Sequence, residues 1–180
     1  MATLPNPLDV EHLRVCVSLL HKVGRTVESY VQGESMGSTL PDGSRVRIAA
    51  ALPNSLQPGD IIACLSEGFL SAHRLVYCGA QHGQSEYFLT QGDGWILCDS
   101  PRHVSTILGK VEECFIVGQW VRAAPHASRS PKAQRAADQQ VALLSRCLRL
   151  HVGLARFVAR RLLTVYTIRE NIRLFALRMA

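Results

Sequence analysis

Hydrophobic and polar positions divide the chain into an N-terminal helical segment, a β-rich middle and a C-terminal helical segment. Residues 9–31 show apolar positions three or four apart, which predicts one amphipathic helix with an acidic first turn. Residues 139–179 repeat the same periodicity, with arginines between the apolar positions, and residues 168–171 are a candidate break into two helices. The N-terminal face is formed by Val10, Leu13, Val17, Leu20, Val23 and Val27.

The middle of the chain shows short apolar or alternating runs separated by Gly- and Pro-rich turns. Strands are predicted at residues 45–48, 61–65, 69–77 and 87–90, with one or two more over 104–121 that bend at Gly109 and Gly118. Residues 66–68 are read as a hairpin turn and residues 92–101 as a loop. The pattern predicts a mainly β domain built as an open barrel. The predicted units are residues 1–31, 32–122, a linker at 123–138, and a helical appendage at 139–180.

Charge is distributed unevenly along the chain. Residues 126–180 contain 11 Lys and Arg against two acids, whereas residues 1–125 contain nine basic and 12 acidic residues. The basic C-terminal segment therefore has three possible partners: an anionic membrane, the β core or another protein, and nucleic acid. Membrane contact and packing on protein are ranked equal, and nucleic acid is not expected because few aromatic residues accompany the arginines.

Cysteine and histidine spacings give no metal or nucleotide motif, so no cofactor is expected. The six cysteines form no Cys-x-x-Cys pair, which favours a reducing compartment. No secretory leader and no apolar run long enough to span a bilayer is visible. These observations predict a cytoplasmic protein, with peripheral membrane contact as one reading of the basic segment.

Candidate chemistry begins in the Gly- and Ser-rich turn at residues 33–43. Glycines on both sides of Ser35 allow a sharp bend, an exposed hydroxyl and a backbone N–H that faces a developing oxyanion. Alone, such a turn between regular elements is ordinary loop chemistry. The chain later offers His73 in a β-like run and two loop acids, Asp93 and Asp99, which complete the residue types of a serine hydrolase triad. Each also has a structural reading, as a packed strand histidine and as turn caps.

Five short patterns occur in a fixed order around these residues. They are Gly-x-Ser-Met-x-x-Thr-Leu-x-x-Gly at 33–43, Pro-Gly-Asp-Ile-Ile at 58–62, His-Arg-Leu-Val at 73–76, Thr-x-Gly-Asp at 90–93 and Ile-Leu-Gly-Lys-Val at 107–111. In these patterns the chain resembles the superfamily of signal peptidase I and LexA-like serine peptidases over residues 31–117. The resemblance implies a coiled β-fold and a serine endopeptidase that cleaves a leader or signal-like segment from a precursor.

The resemblance also assigns roles residue by residue. Ser35 corresponds to the nucleophile, and His73 stands where bacterial signal peptidases carry a lysine base, as in the His-base variants of archaea and the endoplasmic reticulum. Asp99 corresponds to the acid that orients the base and Asp93, like Arg74, to a supporting residue, although either acid remains a candidate. The Ser35 N–H is the expected oxyanion donor, in a turn shaped by Gly33 and Met36. Gly33 stands where some members have a serine whose hydroxyl donates a second hydrogen bond, and Ser38 and Ser44 replace a usual proline and acid.

Two other functions fit the same residues. A LexA-like regulator that cleaves itself would use this fold, but it needs a DNA-binding module and usually a lysine base. A peptide-binding module on an inactive protease scaffold would lack reactivity at Ser35. The leading interpretation is a dedicated peptidase whose substrate is the leader of a small peptide precursor.

Overall fold

A computed structural model describes residues 10–66, 69–79, 86–123 and 131–179. Among the described residues, the strands lie between one N-terminal and two C-terminal helices, and short 3₁₀ turns include Pro53–Ser55 and Val104–Thr106. The elements in order are α1 (Val10–Lys22), β1 (Val27–Tyr30), β2 (Arg45–Ala49), β3 (Ile61–Ser66), β4 (Phe69–Cys78), β5 (Tyr87–Gln91), β6 (Arg102–His103), β7 (Ile107–Ile116), β8 (Gln119–Arg122), α2 (Pro131–Leu150) and α3 (Val152–Met179).

All the strand pairs are antiparallel, and the strands form a single half-barrel sheet in the described residues. The order across the sheet is β1-β2-β7-β3-β4-β5-β6, and β8 pairs with β7. The first half of β7 pairs with β3 and its second half with β8, while β2 pairs with residues 110–115. The central strand β7 therefore joins the two halves of the sheet. The sheet as a whole confirms the predicted mainly β class.

Gly109 lies inside β7, next to a register shift in the pairing of β7 with β3. A Cβ at this position would overlap the backbone carbonyl of Ala49 and lie 3.0 Å from the Ile48 side chain. Glycine is required here because the backbone of β2, which pairs with β7, lies very close at this position. At Gly118 the φ angle is +80°, in the turn between β7 and β8, where a bend was predicted.

The N-terminal helix is shorter than predicted. It ends at Lys22, and Gly24 follows with a φ of +65°, while the Arg25 N–H donates to the Leu20 carbonyl at 2.9 Å. This is the geometry with which a glycine ends a helix. Residues 27–30, predicted to be helical, instead form β1 and pair with β2, so the prediction of helix to residue 31 is wrong.

The C-terminal helices also differ from the prediction at two positions. Helix α2 begins at Pro131, inside the predicted linker, because proline suits the first turn of a helix. The break lies at His151, not at residues 168–171, which are helical within α3. The His151 ring accepts a hydrogen bond from the Gly153 N–H at 3.0 Å and so caps the start of α3. Residues 124–130 and the predicted hairpin residues 67–68 lie outside the described residues.

Three groups of buried side chains hold the sheet, its loops and the helices together. One lies between the turn at residues 33–43 and the inner face of β2, β3 and β7, and a second lies near Leu56 and Phe88. The third joins Leu89 on β5 to both C-terminal helices, through Leu144, Cys147, Leu148, Ala155 and Ala159. The helices therefore pack on the β core, which was one of the readings of the basic segment. No helix in the described parts of the chain is long and apolar enough to cross a bilayer.

Candidate active site

Three separate segments bring Ser35, His73 and Asp99 together. Ser35 lies in the turn after β1, His73 in the middle of β4, and Asp99 in the loop between β5 and β6. The Ser35 Oγ lies 2.8 Å from the His73 Nε2, and the His73 Nδ1 lies 2.6 Å from the Asp99 Oδ2. Both distances are those of hydrogen bonds. The side chains of His73 and Asp99 are 13% and 17% exposed, so the ring reaches solvent only at its edge.

The turn at residues 33–43, called the Ser35 turn below, is held by its own backbone and by two buried side chains. The Gly33 N–H donates to the Asp42 carboxylate at 2.7 Å, and Gly33 has a φ of +93°, which favours glycine. Met36 and Leu40 are almost completely buried in the sheet core. Met36 thus anchors the turn beneath the serine, and its side chain does not face the site.

The loop at residues 92–101, called the acid loop below, lies directly against the Ser35 turn. The Gly94 N–H donates to the Ser35 carbonyl at 2.9 Å. A Cβ at Gly92 would overlap that same carbonyl, so only glycine allows the two loops this contact. The Ser35 N–H, by contrast, has no hydrogen-bond partner among the described residues. The expected oxyanion donor is therefore available.

Asp99 receives hydrogen bonds from two side chains. Besides the His73 ring, the Thr90 hydroxyl donates to the Asp99 Oδ2 at 2.6 Å, and the Asp99 N–H donates to the Thr90 carbonyl at 2.8 Å. An Arg102 nitrogen lies 3.9 Å from the same carboxylate oxygen. Burial alone would raise the pKa of Asp99, but the hydrogen bonds and charges of His73, Thr90 and Arg102 together lower it below the ordinary value. Asp99 is therefore ionised at neutral pH.

An ionised Asp99 fixes the tautomer of the neutral His73 ring. A carboxylate can only accept hydrogen bonds, so the proton of the neutral ring must lie on Nδ1. The Nε2 atom then carries a lone pair and accepts a hydrogen bond from the Ser35 hydroxyl. This arrangement makes His73 a suitable base for Ser35.

Asp93 and Arg74 form a separate pair beside this site. The Arg74 guanidinium donates to both Asp93 oxygens at 2.8 and 2.6 Å, and a third hydrogen bond reaches the Gly59 carbonyl. Both side chains are more than nine-tenths buried. Asp93 therefore joins the acid loop to β4 through Arg74, which also contacts the turn before β3, whereas Asp99 is the acid that contacts His73.

Sequence reasoning missed a polar cluster behind the acid. The Arg102 guanidinium donates to the Ser71 hydroxyl at 2.7 Å and contacts the Cys64 sulfur at 3.0 Å. Burial raises the pKa of the Cys64 thiol more than the nearby Arg102 lowers it. Thr90 lies in the Thr-x-Gly-Asp pattern but had no assigned role, and its signal is a polar residue directly after the apolar run of β5. Arg102 and Ser71 lie on different strands, 31 residues apart in the chain, so no local signal marks their contact.

A small cavity of about 90 Å³ opens beside Ser35 and His73. Aliphatic side chains of β2, β3 and β4 form part of its wall: Val46, Ile48, Ala63, Leu70 and Ala72. The rest of the lining comes from Tyr30, Val31 and Gln32, just before the Ser35 turn, and from Ser71. Strand β4 pairs with β3 over residues 69–74, but its pairing with β5 begins only at Arg74. Within the described residues, no strand covers the other edge of β4 over residues 69–73. An open strand edge therefore runs past the cavity.

No family model matches the chain, and no curated protein matches it significantly. Among the described residues, no group of three or more His, Cys, Asp or Glu side chains could hold a metal ion. The function is therefore inferred from the geometry of the site.

Proposed function

We propose that the protein is a serine endopeptidase, of the signal-peptidase-like type that the sequence patterns resemble. The observation that carries the proposal is the unbroken hydrogen-bonded series from Ser35 through His73 to Asp99. Nucleophile, base and orienting acid are recognised by such contacts and not by their order in the chain. Asp93 and Arg74 support the loop, and Met36 anchors the turn.

The reaction begins when Ser35 Oγ attacks the carbonyl carbon of the scissile peptide bond. His73 Nε2 takes the hydroxyl proton, and Asp99 stabilises the imidazolium that forms. The Ser35 N–H donates to the oxyanion of the tetrahedral intermediate. His73 then gives its proton to the leaving amine, and an acyl-enzyme on Ser35 is left. Water, deprotonated by His73, attacks that ester, and His73 returns the proton to the Ser35 oxygen as the new carboxyl terminus is released.

The substrate is proposed to be an extended segment of a peptide or precursor protein. The open edge of β4 at residues 69–73 can accept such a segment by strand addition, with the scissile bond at Ser35. A cavity of about 90 Å³ is smaller than pockets that hold whole small molecules, about 300 Å³ or more, so it suits a single substrate side chain beside the cleaved bond. Removal of a leader from a precursor fits both features.

Reaction of Ser35 with a fluorophosphonate probe tests the proposal without knowledge of the substrate. We expect wild-type protein to be labelled, Ser35→Ala to show no labelling, and both to unfold at the same urea concentration. Ser38→Ala is the matched control, because Ser38 is an exposed serine of the same turn. Wild-type folded protein that never reacts would support an inactive binding module instead. A defined self-cleavage product, detected by intact mass, would favour the LexA-like alternative.

A further inference from the structure

Helix α3 carries a row of exposed apolar residues on its outer side. Leu154, Phe157, Val165 and Ile168 are between 41% and 56% exposed, and Arg161 lies in the middle of the row. The spacings along the row are three, four, four and three residues, so all five lie on one face of the helix. These five residues are called the outward stripe below.

The orientation of the stripe is fixed by packing on another face of α3. Ala155 and Ala159 are buried on that face, and Leu162 is partly buried there, in the cluster that includes Leu89 of β5. Because this face is part of a buried core, α3 cannot turn the outward stripe inward without losing those contacts. The stripe therefore stays open to a partner.

The charge around the stripe selects the kind of partner. Residues 152–168 include three arginines and no acidic residue. Arg161 lies over the Phe157 ring, with its guanidinium carbon 5.2 Å from the ring centre, and Arg160 is exposed beside it. A second copy of the chain fits poorly, since antiparallel pairing about the centre of the stripe would oppose Arg161 to Arg161. An anionic surface offers the complementary charge.

We propose that the outward stripe binds the surface of a membrane that contains anionic lipids. The apolar side chains enter the boundary between headgroups and acyl chains, while the arginines extend toward the lipid phosphates. The helix then lies parallel to the membrane plane, between the lipid and the β core. This inference is independent of the proposed peptidase activity.

Vesicle flotation with the full-length protein tests this inference. The probes are vesicles of phosphatidylcholine alone and of phosphatidylcholine mixed with phosphatidylglycerol. We expect flotation only with the mixed vesicles, weakening as salt is raised because salt screens the arginines. Phe157→Ser with Val165→Ser should lower the bound fraction at limiting lipid about 10-fold or more, and Arg160→Gln with Arg161→Gln should do so too.

Leu143→Ser with Leu52→Ser is the matched control, because both leucines are exposed and lie off α3. This control should float like wild type, and circular dichroism should show equal helix content in all variants. Absence of binding to the mixed vesicles would overturn the proposal, as would equal loss in the control. Sedimentation that shows a dimer dispersed by Phe157→Ser and Val165→Ser, without lipid binding, would assign the stripe to self-association instead.

Discussion

The two aspartates of the acid loop illustrate how neighbouring residues of one type take different tasks. Asp99 contacts the His73 ring, whereas Asp93 is held by Arg74. If the proposed function holds, Asp99→Asn should lower the rate of probe labelling on the order of 10³–10⁴-fold, because an amide can stabilise the wrong histidine tautomer and not the imidazolium. Labelling kinetics at neutral pH measure this, and a loss of less than 10-fold would contradict the role of Asp99.

The same variant gives a test that depends on folding and not on catalysis. The pKa of Asp99 is lowered in the folded protein, so its ionised form stabilises the fold at pH values above the ordinary pKa of 3.8. This contribution falls away as the pH drops below 3.8 and through the lower folded-state pKa. Urea denaturation should therefore show a gap in the free energy of unfolding between wild type and Asp99→Asn near neutrality that shrinks in acid. A gap that grew on acidification would contradict the sign.

Asp93→Asn should act on stability first. The change leaves the Arg74 guanidinium buried without its counter-charge, and loss of one member of a buried ion pair costs about 3–5 kcal/mol. Glu113→Gln is the control, because the pair of Glu113 with Arg47 is about one-third exposed and is worth at most about 1 kcal/mol. Urea denaturation of both variants compares the two losses. Equal losses would show that burial of the Arg74 pair is not what matters.

The sequence allowed the three site residues to be predicted because each lies in a short pattern with a chemical meaning. It left Asp93 and Asp99 as rivals, because both follow β5 within one loop and only the register of β4 decides which reaches His73. Thr90 was missed because its contact with Asp99 closes the whole loop after β5, and Arg102, although only three residues from Asp99, was missed because nothing in the spacing shows that the chain turns back there. Local spacing does not encode such contacts.

At the scale of elements, strong periodicity located most of the sheet but not its short edges. Strands β2, β3, β4 and β5 were predicted within about one residue at each end, since each is an apolar or alternating run between turns. Strand β1 was assigned to the preceding helix, because Val23 and Val27 continue its spacing of four. Pairing with β2 overrides that local preference, and Gly24 ends the helix.

Contact between the Ser35 turn and the acid loop gives a prediction at this scale. Gly92→Ala introduces a Cβ that overlaps the Ser35 carbonyl, so the turn must move. A displacement near 1 Å in a catalytic group costs about 100-fold, and probe labelling should fall by that order. Gly24→Ala is the control: it has open space and a φ of +65°, so it should cost about 1–2 kcal/mol of stability and leave labelling unchanged. Unchanged labelling in Gly92→Ala would show that the turn is not held by this contact.

At the scale of the whole molecule, the C-terminal helices belong to the same packed structure as the site. Leu144 and Leu148 of α2 share a buried cluster with Leu89 of β5, and Cys98, next to Asp99, packs against it. The Cys98 N–H also donates to the Gln140 side chain of α2 at 3.4 Å. These helices were predicted from the sequence to be an appendage, because their basic composition differs from that of the β domain. The basic composition of a helix reflects mainly its exposed face, whereas its packing on the β core depends on the few positions that are buried.

Leu144→Ala tests whether this packing supports the acid loop. The side chain is 1% exposed, and its truncation in a close-packed core costs about 2–5 kcal/mol. Leu143→Ala is the control, since the adjacent leucine is 44% exposed and should cost less than about 1 kcal/mol. If sheet and helices fold as one unit, urea unfolding followed by circular dichroism and by tryptophan fluorescence should shift together in Leu144→Ala. A fluorescence transition of the sheet that stays at the wild-type midpoint while the helical signal is lost earlier would show that the helices fold independently of the site.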